Sequence, residues 1–262
     1  MSHVLTADGG TESLRVRIYD LKGRCVASHA EPYETKFMAG ARAEQNAEDW
    51  WSSLVTATQI CLKEANISGH AIDAMAYATT CCTVVALDKN GAPLRPALMW
   101  MDVRADKEAE AVLETGDQRL ILNGNGHGPV SAEWMIPKAL WLKRNEPQIF
   151  DDAVTICEYQ DYLTMRLTGE RCASLNNVGL RWHYANRDGG WASGIVEKLG
   201  MPDLLEKWPS RVAAPGEVVG NLSATAAAEL GLSTRTKLVQ GGADALIGMI
   251  GLGVSKPGQL AL

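Results

Sequence analysis

The chain has 262 residues, 46% of them hydrophobic, and carries a formal net charge of −6. That length can bury one large core or two small ones. The acidic balance gives no electrostatic case for nucleic acid or an anionic membrane as partner, and no apolar run approaches the roughly 20 residues needed to cross a bilayer.

The first strand-like run begins almost at Met1, leaving no room for a signal peptide, so a cytoplasmic protein is expected. Six cysteines, Cys25, Cys61, Cys81, Cys82, Cys157 and Cys172, show no metal-type spacing. Reduced thiols are the plain expectation. The adjacent pair Cys81-Cys82 is not expected to form a structural disulfide, because a vicinal bridge needs strained geometry.

In chain order, the runs His3–Ala7 and Leu14–Tyr19 predict two strands joined through Gly9-Gly10 as a β-hairpin. The turn would offer backbone N–H groups and the hydroxyls of Thr11 and Ser13 to phosphate oxygens. Asp8, ending the first strand, could hold a hydrated Mg²⁺ beside them. An ordinary hairpin reads the same way. A third antiparallel strand is predicted over Arg24–Ala30. A helix follows over Asn46–Ala65, with Trp50, Leu54, Val55, Thr58 and Leu62 near one face.

Strands are then predicted over Ile72–Ala78, Thr83–Leu87 and Ala97–Met101, with Asn90-Gly91 as a turn. Helices are predicted over Arg104–Thr115, Ala132–Arg144, Glu158–Leu167, Gly194–Leu199 and Ala224–Leu230. Between them, Leu120–Val130 is a glycine- and asparagine-rich surface loop; its His127 reads as a solvated loop histidine rather than a base. The order predicts an α/β fold, a mixed sheet flanked by helices.

Near the other end, Lys237–Gly242 reads as a buried strand and glycine turn, and a helix opens at or near Asp244. A carboxylate there is placed to accept a proton from a bound hydroxyl. An Asp at such a boundary also serves as a helix N-cap, and the two roles are compatible. The final Pro257–Leu262 run reads as the start of a further strand.

The segments around Asp8 and Asp244 together resemble the FGGY family of carbohydrate kinases. Glu48-Asp49-Trp50-Trp51, Thr83–Asp88, Trp100–Ala105 and Asp161-Tyr162-Leu163 followed by Leu167-Thr168-Gly169 extend the match from Val4 to Leu262. The resemblance implies the actin-like, ribonuclease-H-like fold and transfer of the γ-phosphoryl group from ATP, with Mg²⁺, to a sugar hydroxyl. It makes Asp244 the general base, places Asp8 and Asp244 near the metal, and gives Gly10, Thr11, Ser13 and Arg15 to phosphate binding. It also implies that this chain is the sugar-binding half only. An ATP-binding half would follow, so the chain alone is expected to be inactive, with exposed surface that could support a homodimer.

The same resemblance points to the sugar pocket. Cys81 and Cys82 stand where glycerol kinases carry an Arg-Glu pair that grips vicinal hydroxyls. Cysteine is a weak donor and acceptor, which argues against glycerol and toward a ketose; small core residues at a strand end read the same way. Ser131–Trp134 with Pro137–Leu142 resembles the ribulokinase branch. Glu133 would bind sugar hydroxyls, or serve as a first-turn carboxylate. Trp134 would cover an apolar sugar face, and Trp100 would wall the pocket. Asp102 and Arg104 read as a structural pair and Trp141 as core.

The substrate lysine of L-ribulokinases is missing from Asn176–His183, where Arg181 is the nearest cation. D-ribulose, L-ribulose, ribitol and related pentose derivatives are all compatible. A non-catalytic sugar-binding module and another actin-like phosphotransferase are the alternatives.

Overall fold

The computed structural model describes residues 2–122 and 130–261. His127 and its glycine-rich neighbours, 123–129, lie outside the described residues.

The chain opens with β1 (His3–Gly9), β2 (Ser13–Asp20), β3 (Cys25–Pro32), β4 (Lys36–Met38) and β5 (Arg42–Gln45), then α1 (Ala47–Glu64). Strands β6 (Ile72–Thr79), β7 (Val84–Leu87) and β8 (Ala97–Leu98) lead into α2 (Asp106–Glu114), α3 (Met135–Asn145) and α4 (Pro147–Asp152). Next come β9 (Thr155–Glu158), α5 (Tyr159–Thr168), β10 (Cys172–Ser174), α6 (Leu175–Arg181), α7 (Ser193–Lys198) and α8 (Leu204–Lys207). The described chain closes with β11 (Arg211–Ala213), β12 (Val218–Asn221), α9 (Ala224–Leu230), β13 (Lys237–Val239) and α10 (Asp244–Gly251).

The expected mixed sheet is present but divided. Six strands run in the order β12-β13-β6-β1-β2-β3, five in the order β4-β5-β8-β7-β9, and β10 pairs with β11. The β1–β2 hairpin is antiparallel, as its alternating residues predict, and puts Leu14, Val16 and Ile18 on the buried face. β6 lies parallel to both β1 and β13. Parallel neighbours need long crossovers, and α1 makes the one between β1–β3 and β6.

Helix α1 starts where Asn46 accepts the Glu48 N–H, an N-cap that satisfies one orphan donor. Trp50, Leu54, Ala57 and Cys61, at three- and four-residue spacing, are all fully buried against the six-stranded sheet. Trp50 stacks on Tyr159 at 3.8 Å between centroids. Burial of each such large side chain stabilises by about 1.5–3 kcal/mol. A second apolar cluster joins β7, β8 and β9 to α2, α3, α7 and α8, and includes Met135, Leu140, Trp182 and Trp208.

Three sequence expectations change. The strand predicted over Ala97–Met101 stops at Leu98, because Met99–Val103 bends into a turn held by the buried Asp102, which accepts the Ala43 N–H at 2.7 Å. The helix predicted from Ala132 begins at Met135, since Trp134 N–H bonds to Ser131 O in a turn of its own. The terminal run forms no strand among the described residues: Gln259 accepts the N–H groups of Ser255 and Lys256 in a local turn.

Asp102 and Arg104 form the expected structural pair, with Arg104 Nε and Nη2 at 2.8 and 2.6 Å from the two carboxylate oxygens. Trp141 is core, under the guanidinium of Arg104 at 5.0 Å. By contrast, apolar α10 buries none of its residues.

Candidate active site

Parallel pairing sets where the site forms. Gly9 of β1 faces Thr79 of β6, and Thr79 makes a parallel bridge to Ala243. Thr80 N–H donates to Gly9 O at 2.9 Å, and Thr79 N–H to Gly242 O at 3.3 Å. Gly10, Thr80 and Asp244 therefore leave three adjacent chains at one sheet end. Ligand sites in open α/β sheets favour such carboxyl ends.

The approach to Asp244 needs glycine twice. A Cβ on Gly241 would lie 1.7 Å from Tyr77 O, and one on Gly242 would lie 2.6 Å from Asn176 Oδ1. Ser174 Oγ donates to Gly241 O at 2.8 Å, and Asn176 Oδ1 accepts the Ala243 N–H at 2.9 Å. These bonds fix the start of α10. Asp244 is its first residue rather than its N-cap, which is Ala243. Its carboxylate accepts the Ala245 N–H at 2.7 Å. Partial burial, with a smaller contribution from the charge of Asp8, pushes the Asp244 carboxyl above its ordinary range.

Asp8 and Asp244 line one shallow cleft, together with Gly10, Ala78 and Gly248. The two carboxylates, 236 positions apart in numbering (244 minus 8), thus converge as the sequence predicts. Arg15 stands opposite Asp8 across the hairpin, Nη1 to Oδ2 3.7 Å. Two carboxylates that repel each other suit a hydrated Mg²⁺, which keeps most of its waters and takes one or two protein carboxylates. Among the described residues there is no cluster of three or more His, Cys, Asp or Glu able to hold a metal by protein ligands alone.

The hairpin turn is held from beneath. Gly10 N–H donates to Ser13 O at 3.0 Å, so this donor is used inside the turn. Tyr33 Oη donates to Gly10 O, and Gln45 Nε2 to Thr11 O at 2.6 Å. Gln45 is oriented in turn by Trp50 Nε1, 2.9 Å from its Oε1. The Thr11 hydroxyl points the other way and accepts from Trp100 Nε1 at 3.1 Å.

Beside the two carboxylates lies a cleft of about 290 Å³ lined by Thr11, Thr80, Cys81, Cys82, Trp100, Glu133, Arg181 and Asp244. It gathers Cys81, Cys82, Trp100 and Glu133 around Asp244. Trp134 is the exception: it is 6% exposed and does not line the cleft. Arg181 covers its ring at 5.0 Å, and His183 meets it edge-on at 5.6 Å. Arg181 holds the position expected of Trp134.

Two fully buried ionisable side chains behind the cleft escape the sequence reading. Lys138 Nζ donates to Cys82 O at 2.8 Å and Met99 O at 2.5 Å, tying the cysteine wall to the Trp100 wall. Burial pushes its ammonium down to about 8. Glu158 accepts from Trp182 Nε1 at 2.6 Å, from Asn177 Nδ2 at 3.1 Å and from the Cys82 backbone N–H. Burial raises its carboxyl. Cys82, gripped at both peptide groups, sits at φ +64°, a conformation uncommon for a non-glycine residue. The one sequence signal was a lysine inside the apolar run Pro137–Leu142.

No helix among the described residues is long and apolar enough to cross a membrane. A sequence profile described as "FGGY family of carbohydrate kinases, N-terminal domain" matches residues 3–251. A xylulose kinase of Bacillus subtilis is 27% identical over 99% of this chain and 51% of its own length. A D-ribulokinase of Saccharomyces cerevisiae is 26% identical over 95% of this chain and 38% of its own length. The crystal structure of xylulose kinase from Rhodospirillum rubrum superposes with a TM-score of 0.87 at 26% identity, covering 98% of this chain and 52% of that one. The chain thus spans about half the length of these relatives or less. Its mixed sheets and flanking helices have the actin-like fold of sugar kinases, and the chain belongs to the FGGY family of carbohydrate kinases.

Proposed function

We propose that this chain is the sugar-binding half of an ATP-dependent kinase that phosphorylates a hydroxyl of a pentulose, ribulose-type first. The observation that carries this reading is the single cleft in which Asp244 faces Cys81, Cys82, Trp100, Glu133 and Arg181, with Asp8 beside it. Glu133 and Arg181 supply an acceptor and a fan of donors for sugar hydroxyls. The Cys81-Cys82 wall has no charged pair to grip a small triol, so a longer ketose that fills the cleft is favoured over glycerol.

Asp244 orients the attacking hydroxyl and accepts its proton as the oxygen bonds to the γ-phosphorus and the bond from that phosphorus to the β,γ-bridging oxygen breaks, releasing ADP. The Thr11 hydroxyl, Ser13 and Arg15 are assigned to the phosphate charge that develops, supported by Thr11 lining the cleft and Arg15 standing 3.7 Å from Asp8; positioning with electrostatics dominates phosphoryl transfer. Mg²⁺ held through water by Asp8 and Asp244 would neutralise phosphate charge. The adenine site belongs to a second domain, which would also cover the apolar, unburied α10. The chain alone is then inactive and remains a sugar-binding module.

The test is a coupled assay of ATP consumption by the complete protein with D-ribulose, L-ribulose, D-xylulose, ribitol and glycerol. A ketopentose, D-ribulose foremost, is expected to give the highest kcat/KM. Highest kcat/KM with glycerol, or no sugar-dependent ATP consumption at all, overturns the proposal.

A further inference from the structure

We propose that Cys81 and Cys82 form a vicinal dithiol site for trivalent arsenicals, the class of arsenite and organoarsenous oxides, in the wall of the cleft. Both residues line the 290 Å³ cavity, and their sulfurs lie 3.7 Å apart. The pair is held rather than loose. Lys138 grips the Cys82 carbonyl, Glu158 accepts its N–H, and the residue is fixed at φ +64°.

The spacing selects a bridging atom over a direct bond. Successive Cα atoms are about 3.8 Å apart across a trans peptide. Disulfides usually need at least about 4.4 Å between Cα atoms, so a Cys81–Cys82 disulfide would be strained. Two sulfurs bonded at about 2.3 Å to one pyramidal trivalent arsenic, with an S–As–S angle of roughly 95°, lie about 3.4 Å apart, a few tenths of an ångström inside the 3.7 Å separation already present.

Protonation then separates arsenic from a divalent metal. The contact with Cys81 and then burial hold the Cys82 thiol well above its ordinary range, whereas zinc-type ligation requires thiolates. An organoarsenous oxide needs no prior ionisation. Its As–O bonding to oxide breaks, two As–S bonds form, and both thiol protons leave on the oxide oxygen as one water. Arsenic stays trivalent and no oxidant is consumed. The adduct would occupy the space between Trp100, Glu133 and Asp244; competition with sugar there rests on the proposed function.

The experiment is intact-mass analysis of this chain after incubation with phenylarsine oxide. One phenylarsenic group per chain, with loss of two hydrogens, is expected in wild type and in Cys25→Ser, reversed by a dithiol reagent. It is expected to vanish in Cys81→Ser. Alkylation mapping on wild type gives a second readout that needs no variant: the arsenical should protect Cys81 and Cys82 from iodoacetamide and leave Cys25 reactive. No adduct, an adduct that persists in Cys81→Ser, or protection mapped to Cys25 and Cys61 overturns the site. D-Ribulose at ten times its dissociation constant should slow adduct formation about tenfold. If the adduct maps to the pair but ribulose does not slow it, the dithiol site stands and the sugar reading of the cleft fails.

Discussion

Thr79 of β6 bridges in parallel to Ala243, and Ala243 is followed at once by Asp244. Because Thr79 also pairs with Gly9, one residue past Asp8, a single strand end registers both carboxylates against each other. Their convergence is a consequence of sheet pairing, not of loop flexibility, and strand ends position side chains more rigidly than loops do.

Asp244→Asn keeps the shape and removes the carboxylate proposed as proton acceptor. General-base catalysis contributes about 10²–10⁴-fold, so kcat of the complete kinase should fall by that factor while KM for the sugar changes little. Steady-state kinetics with the preferred pentulose checks it. A variant with near-normal kcat removes Asp244 from the base role.

Trp100→Phe tests the outer wall. The indole N–H holds the Thr11 hydroxyl at 3.1 Å, and the ring is 37% exposed at the rim of the cleft. One neutral hydrogen bond contributes about 0.5–1.5 kcal/mol, equivalent to a KM increase of about 2–10-fold. Thermal stability should move little, because phenylalanine keeps an aromatic ring in the buried part of the site. A large drop in Tm with unchanged KM would make Trp100 a packing residue only.

Glu158 gives a pH signature. Its folded-state carboxyl is raised by burial, so the folded protein holds the proton that the unfolded chain releases near its ordinary value of 4.5. The associated stability is fully present below that value and is lost as pH rises through the raised folded one. Urea unfolding of wild type and Glu158→Gln across this range should show the wild type losing stability relative to the variant as pH increases. Parallel curves would mean that Glu158 is not protonated in the folded state.

Most of the fold was legible in local pattern. The hairpin, α1, β6, α9 and the Asp244 helix carry clear periodicity or glycine punctuation, and their bounds agree to within a few residues. The missed strands β4, β5, β9, β10, β11 and β12 are only three or four residues long, too short for a period to register. Asp8, Asp244, Trp100, Cys81, Cys82 and Glu133 were legible through family resemblance. Trp134 was not, because whether an aromatic faces a cleft or backs it depends on Arg181, 47 positions away (181 minus 134). Lys138 and Glu158 were hidden for a related reason: Lys138 bonds the backbone carbonyls of Cys82 and Met99, and Glu158 the distant side chains of Trp182 and Asn177 with the Cys82 N–H, pairings that a sequence does not advertise.

Gly241→Ala separates the two reasons a glycine can stand before the carboxylate proposed as the base. Gly241 has no positive φ, so conformational freedom does not require it; a missing side chain does. The added methyl would sit 1.7 Å from Tyr77 O and 3.2 Å from Gln160 Nε2. The Tyr77 carbonyl belongs to β6, in the centre of the six-stranded sheet, and has little room to retreat. Overpacking of this kind costs about 1–3 kcal/mol. The strain can be relieved by moving the Gly241–Asp244 turn away from β6, which would break the Ser174 and Asn176 bonds and displace Asp244. Loss of stability by urea unfolding should therefore come with a fall in kcat of at least about tenfold, the scale on which small misplacements of reacting groups act. A Gly241→Ala protein that is destabilised yet turns over normally would show that the turn can shift without carrying Asp244 with it.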